Sequence, residues 1–322
     1  MQRQGLGFGI LAYALWGLFP LYWPLLEPAG ALEILAFRVV MSAVSVLLLL
    51  AAGRRLSGVT RLGSLALRRL TIAGVVIGIN WGTYIYGVNN HHVVETSLGY
   101  FVNPLVTVGL GVLVLGERLR RVQWVALAFG VLAVVIITID YGHPPWIALI
   151  LAVSFGSYGL VKKQVGVAAP EGLLVESLVL VLPAVVLLAV LGSSGRGSFV
   201  HANTGHELLL ASTGLVTVIP LLFFAGAASR LPLSSLGLLQ YLAPVLQLIV
   251  GIGVRHEPLP PARLAGFALV WLALVILTVD GVRHRGNRGA RPADPSRTPG
   301  AADPSRAPGA AEPISGEPVP SG

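Results

Sequence analysis

A chain of 322 residues with 55% apolar and only 11% charged side chains, and a mean hydropathy of +0.80, lacks the charged exterior of a soluble domain. Its net charge of +8 points to no nucleic-acid partner, because the basic residues lie in short segments between apolar runs, where they orient a chain in a membrane. Having no cysteine excludes disulfides, thiolate metal sites and cysteine nucleophiles. No stretch alternates apolar and polar residues as a β-barrel requires, so the lipid bilayer is met by helices.

In chain order, apolar runs of about 20 residues, long enough to cross a ~30 Å hydrocarbon core, predict ten spans. These are 6–26, 31–52, 70–88, 96–115 and 122–139, then 146–161, 173–191, 208–228, 234–254 and 264–279. The first run has no small-residue cleavage site and is followed at once by another span, so it reads as a helix and not as a signal peptide. Beyond Arg283 the composition turns to Pro, Gly, Ala and Ser, and Ala-Asp-Pro-Ser-Arg occurs at Ala293 and again at Ala302. Residues 286–322 are therefore expected to form a disordered cytoplasmic tail.

Orientation follows from the cations. With the N-terminus inside, the inner segments hold Arg3; Arg54, Arg55, Arg61, Arg68 and Arg69; Arg118, Arg120 and Arg121; Lys162 and Lys163; Arg230; and the arginines from Arg283 onward. The outer loops hold only Arg196, Arg255 and Arg263. That asymmetry predicts an even number of spans with both termini in the cytoplasm.

A constant displacement runs through the chain: Pro104, Glu117 and Asp140 stand 140 residues before Pro244, Glu257 and Asp280. It predicts two five-helix units, 1–141 and 142–285, and an odd number of helices per unit inverts the second relative to the first. The basic inner segment Gly116-Glu117-Arg118-Leu119-Arg120-Arg121 thus matches an outer one, His256-Glu257-Pro258-Leu259-Pro260-Pro261, which lacks its arginines. Inverted repeats are characteristic of transporters that bind their substrate near the midplane. Duplication in a purely structural membrane protein is the alternative.

Few polar residues interrupt the spans. Arg38 lies seven residues into the second, roughly 10 Å from its outer end at the rise of a helix. It either binds or gates an anion, or snorkels back to the outer surface. Asn80, Trp81 and Tyr84 interrupt the third span and are read as lining a polar cavity, with core packing the alternative for Trp81. His91 and His92 are adjacent and make a poor metal pair. Pro104 and Pro244 are helix-break positions in spans four and nine, which also carry Asn103, Gln240, Tyr241 and Gln247. Glu95 and Glu176 are the proton-coupling candidates, though both read as shallow enough to be wetted. Gly74, Gly78 and Gly82 form a small-residue stripe for close helix packing.

Three stretches carry a family resemblance. Val88-Asn89-Asn90-His91-His92-Val93-Val94-Glu95-Thr96-Ser97-Leu98-Gly99-Tyr100-Phe101-Val102-Asn103-Pro104-Leu105 closely resembles the RarD branch of the EamA transporters, within the drug/metabolite transporter superfamily. So do Leu115-Gly116-Glu117-Arg118-Leu119-Arg120-Arg121-Val122-Gln123-Trp124 and Leu236-Gly237-Leu238-Leu239-Gln240-Tyr241-Leu242-Ala243-Pro244. The resemblance covers about residues 5–285 and departs at His256-Glu257-Pro258, where a Gly-Glu-Lys type of turn is usual. It implies a ten-helix inverted-repeat fold in the cell membrane and export of small molecules, with an association with chloramphenicol sensitivity that fixes no substrate. It implies no catalytic set.

The expectation is an all-α transporter of the bacterial plasma membrane, working by alternating access through a cavity lined by the third, fourth, eighth and ninth helices. Its expected substrate contacts are Arg38, Asn80, Trp81, Tyr84, Asn103, Gln240 and Tyr241, with Arg38 meeting an anionic or strongly polar group. A proton gradient is the expected energy source, since no Gly-rich phosphate-binding loop with a following Lys occurs. An embedded enzyme would need clustered His, Asp or Glu at membrane depth, which the sequence lacks, so no catalytic residue, metal or cofactor is expected. A channel, or a structural or regulatory membrane protein, is the remaining alternative. Partners are a small-molecule substrate and the bilayer, with monomer or homodimer left open.

Overall fold

The computed structural model describes residues 2–116, 118–198, 204–228, 230–231 and 239–289, and among these the regular structure is helical throughout, with no strand. The long helices are α1 (Gln2–Gly17), α2 (Ala31–Ala52), α3 (Ser64–Asn89), α4 (Val93–Leu115), α5 (Arg121–Tyr141), α6 (Trp146–Val165), α7 (Ala169–Ser193), α8 (Thr204–Ala228), α9 (Leu242–Gly253) and α10 (Pro261–Gly289). Residues Met1–Asp280 form one compact unit; the chain from Gly281 belongs to a second, whose helical backbone is described to Gly289. Of the expected disordered tail, 286–289 continue the helix, and the rest lies outside the described residues.

Seven of these helices are long and apolar enough to cross a membrane, and an eighth span forms if the bent segment at the start is counted as one. The helices α6 and α9 are shorter apolar segments. The first span is not the single helix that its hydropathy predicts. It turns by 42° between α1 and a short helical segment, Phe19–Tyr22 followed by Trp23–Leu26. Pro20 and Pro24 explain the bend, because each removes an amide donor from the helical ladder. Pro20 leaves the Trp16 carbonyl without its partner, and Gln247 Nε2 of α9 donates to that oxygen at 3.3 Å.

Polarity is arranged inside out. Leu113, Ile139 and Leu182 are 84, 75 and 72% exposed, whereas Arg38, Asn80, Glu95, Glu176 and Gln247 are buried. Water would penalise such a surface; lipid matches it, and the interior supplies the polar partners that hydrocarbon cannot. The chain is a multi-pass membrane protein.

Helix neighbours come in matched sets. α1 packs on α8 and α9, and α6 on α3 and α4. Likewise α2 packs on α7 and α8, while α7 packs on α2 and α3; α4 meets α9. Adding five to each helix number exchanges these pairs. Two glycines 140 residues apart make equivalent approaches: a methyl on Gly74 of α3 would strike the backbone of Glu176 on α7, and one on Gly214 of α8 would strike that of Met41 on α2. Gly78 continues the α3 stripe against Leu180. Reciprocal ion pairs tie α5 and α10 at both ends, Arg120 to Asp280 at 2.7 Å and Arg263 to Asp140 at 2.7 Å. Arg120 stands at the start of α5 and Arg263 near the start of α10, and each reaches an aspartate far along the other helix, as antiparallel neighbours require.

Candidate functional site around Arg38

Arg38 projects from α2 into the protein and is 4% exposed, so its guanidinium does not snorkel along the helix to the surface. Trp81 of α3 covers it with the ring centroid 4.0 Å from Cζ. Trp23 and Phe19, from the bent segment after α1, stand at 5.1 and 5.9 Å. Nε donates to Thr217 Oγ1 of α8 at 3.0 Å, and that hydroxyl passes its own proton to the Thr213 carbonyl at 2.8 Å. Among the described residues no carboxylate pairs with Arg38, and its Nη groups make no hydrogen bond. An arginine at mid-membrane costs about 2.5–3.5 kcal/mol. A desolvated cation–π contact returns about 2 kcal/mol, so the rings offset much of the cost without neutralising the charge.

Other polar groups surround this cation. The Tyr84 and Tyr100 hydroxyls lie within electrostatic reach of it, and their rings meet edge to face at 5.6 Å. Asn80 is engaged on every side: Nδ2 donates to the Leu151 carbonyl at 3.1 Å and Ser154 Oγ at 2.9 Å, and Oδ1 accepts from Tyr100 at 3.3 Å. It therefore ties α3 to α6 and α4. By contrast, the Tyr84 hydroxyl, Trp23 Nε1 and Ser42 Oγ are buried without a partner.

The remaining sequence-predicted contacts stand apart from this group. Asn103 is 9% exposed on α4, where its carbonyl accepts from Thr107 Oγ1 at 2.9 Å; α4 continues through Pro104 to Leu115. Tyr241 and Gln240 sit in the turn before α9. Pro244 falls in the first turn of α9, where a missing amide costs little, and not in the middle of a helix as its sequence position suggests. Its carbonyl accepts from Ser97 Oγ at 2.8 Å, joining α9 to α4. The segment 232–238 lies outside the described residues, as does Glu117.

Both proton-coupling candidates are far more enclosed than their sequence positions suggest. Glu176 is 1% exposed; Lys162 pairs with Oε1 at 2.7 Å and the Tyr158 hydroxyl donates to Oε2 at 3.0 Å. Close packing of α3, α6 and α7 excludes water from a position that counting along α7 puts near its inner end. Glu95, 4% exposed, accepts the Ile147 amide at 3.0 Å and the Ala148 amide at 3.4 Å, capping α6. Glu257 does the same for α4, accepting the Val93 and Val94 amides at 2.7 Å each. A carboxylate suits the free amides and positive dipole end of a helix N-terminus.

Sequence reasoning missed Phe19, Trp23 and Thr217 as neighbours of Arg38, and Tyr158 and Lys162 as partners of Glu176. Thr213 and Thr217, four residues apart in an apolar helix, are the one local signal of a polar face on α8.

Fold and site together define a multi-span helical protein that encloses an unpaired cation among rings. The EamA-like transporter family matches over residues 3–139. Protein RarD of Streptomyces exfoliatus is 54% identical over 292 residues, covering 90% of this chain and 93% of its own. Protein RarD of Escherichia coli is 38% identical over 282 residues, covering 87 and 95%. A Pseudomonas aeruginosa relative called chloramphenicol-sensitive protein RarD is 32% identical over 294 residues, covering 88 and 96%. One solved crystal structure, at 17% identity, superimposes with a TM-score of 0.57 over 88% of this chain and 99% of that one, a likeness of fold alone. The chain belongs to the RarD branch of the EamA-like transporter family, and its role is that of a membrane transporter.

Proposed function

We propose that this chain is a secondary active transporter of the bacterial plasma membrane that exports small polar or amphipathic solutes by alternating access. The observation that carries this reading is the origin of the Arg38 surroundings. Arg38 and Trp81 come from the first half of the chain, Thr217 from the second, and the cation has no carboxylate of its own. A site shared between halves is one that each half can expose in turn. The matched helix neighbours support two inverted repeats, 1–141 and 142–285, with ten spans, and the Lys and Arg asymmetry supports both termini in the cytoplasm. The pathway runs among α3, α4, α8 and α9, past Asn80, Tyr84, Asn103, Gln240 and Tyr241.

Proton exchange supplies the energy, with Glu176 the stronger carrier of the two acidic candidates because it has a titratable partner and no helix terminus to cap. The name of the Pseudomonas aeruginosa relative makes phenicols a reasonable first solute panel. Proteoliposomes decide the reading. Saturable counterflow of a solute, dependent on Arg38 and abolished by an uncoupler only under net flux, is the expected result. Flux that neither saturates nor counterflows identifies a channel and overturns the proposal.

A further inference from the structure

Around Arg38 the hydrogen-bonding groups left over can all donate. Arginine and the tryptophan ring nitrogen can only donate. The Arg38 Nη groups and Trp23 Nε1 are all without a partner among the described residues. The Tyr84 and Ser42 hydroxyls, also buried and unpartnered, can donate as well. The acceptors nearby are already in use. Thr217 Oγ1 holds Arg38 Nε, Asn80 Oδ1 holds Tyr100, and the Tyr22 hydroxyl bonds the Leu209 carbonyl and Ser212. Glu33, five residues before Arg38 on α2, accepts the Ser198 amide. A ligand entering here finds unused donors and a positive charge, which attracts an anion and repels an ammonium.

Shape narrows the ligand further. With Nε held by Thr217 and Cζ over the Trp81 ring, the two Nη groups are left for a planar, two-oxygen group that can accept two parallel hydrogen bonds. The rings of Phe19, Trp23 and Trp81 offer flat apolar walls beside it. One cation balances one negative charge; a dianionic phosphate would bring an uncompensated charge into a box of aromatic rings.

We propose that the Arg38 box binds a monoanionic carboxylate carried on a flat apolar body and refuses amines and zwitterions. This deepens the transport reading and rests on it for the ligand's passage, though not for its binding.

Equilibrium binding to the purified full chain tests the proposal, read by tryptophan fluorescence and by the thermal midpoint. The probes are benzoate, benzyl alcohol, benzylamine, phenylalanine and inorganic phosphate. Benzoate should bind tighter than each of the others by at least about tenfold, the ratio expected when a charge-assisted hydrogen bond is gained. Arg38→Met should abolish benzoate binding. Arg38→Lys, which keeps the charge but loses the fork, should weaken it by on the order of tenfold. The thermal midpoint of the ligand-free arginine variants, which should not fall far below that of the wild type, checks that lost binding is not misfolding. Benzylamine or phenylalanine binding as tightly as benzoate overturns the proposal. So does phosphate binding as tightly, benzoate binding that survives Arg38→Met, or no response to benzoate at all. Benzoate binding without counterflow leaves the site standing and removes the transport reading; counterflow of solutes that bind independently of Arg38 does the reverse.

Discussion

Arg38 and Glu176 are both buried, and their surroundings are opposite. Glu176 has a counter-ion and a hydroxyl donor, so both oxygens are engaged. Arg38 has one neutral hydroxyl and three aromatic rings, which spread its field without cancelling it. The first arrangement is complete within the chain. The second keeps unused donors, and on that difference the proposed ligand site at Arg38 rests. Glu257 falls with Glu176, since helix-terminal amides engage both its oxygens, and Glu95 takes two such amides on Oε1.

The comparison predicts a graded series. Lys162→Met should cost the most, about 3–5 kcal/mol, because it leaves the Glu176 carboxylate buried and unpaired. The double variant with Glu176→Gln should recover most of that loss in thermal or denaturant unfolding in detergent. If the single variant melts with the wild type, Glu176 is not the self-contained group described above. Glu257→Gln keeps the shape and removes the charge from the α4 cap, so about 1–2 kcal/mol should be lost, measured the same way. Arg38→Met should cost least. It removes an uncompensated charge and leaves behind only a hydroxyl that accepted from it, so the melting point should stay within about 1 kcal/mol of wild type or rise. A large loss there would place Arg38 among the structural charges and erase the contrast.

Arg38 shows how far the sequence reaches. Its depth is legible by counting residues along one helix, and so is the choice between binding and snorkelling. Its partners are not, because Thr217 lies 179 residues away and Trp23 sits beyond a bend that hydropathy does not register. Asn80 teaches the converse. Its polarity in an apolar run marks it as a cavity residue, yet Leu151, Ser154 and Tyr100 use its whole amide. A polar residue at membrane depth must find a partner, and sequence cannot say whether protein or substrate provides it. Pro20 and Pro24 carry the same lesson for backbone: the proline rule applied at Pro104 and Pro244 finds its clearest expression in a bend of the first span.

Composition and periodicity by themselves determined that this chain is a bundle of membrane helices, because hydrocarbon admits only segments that satisfy their own backbone. They also carried the family resemblance and the 140-residue displacement, since both are properties of residue order. Only the tertiary structure decided which buried charges are paired. Pairing depends on side chains from distant helices meeting within a few ångströms, and the packing of small residues such as Gly74 and Gly214 sets those distances.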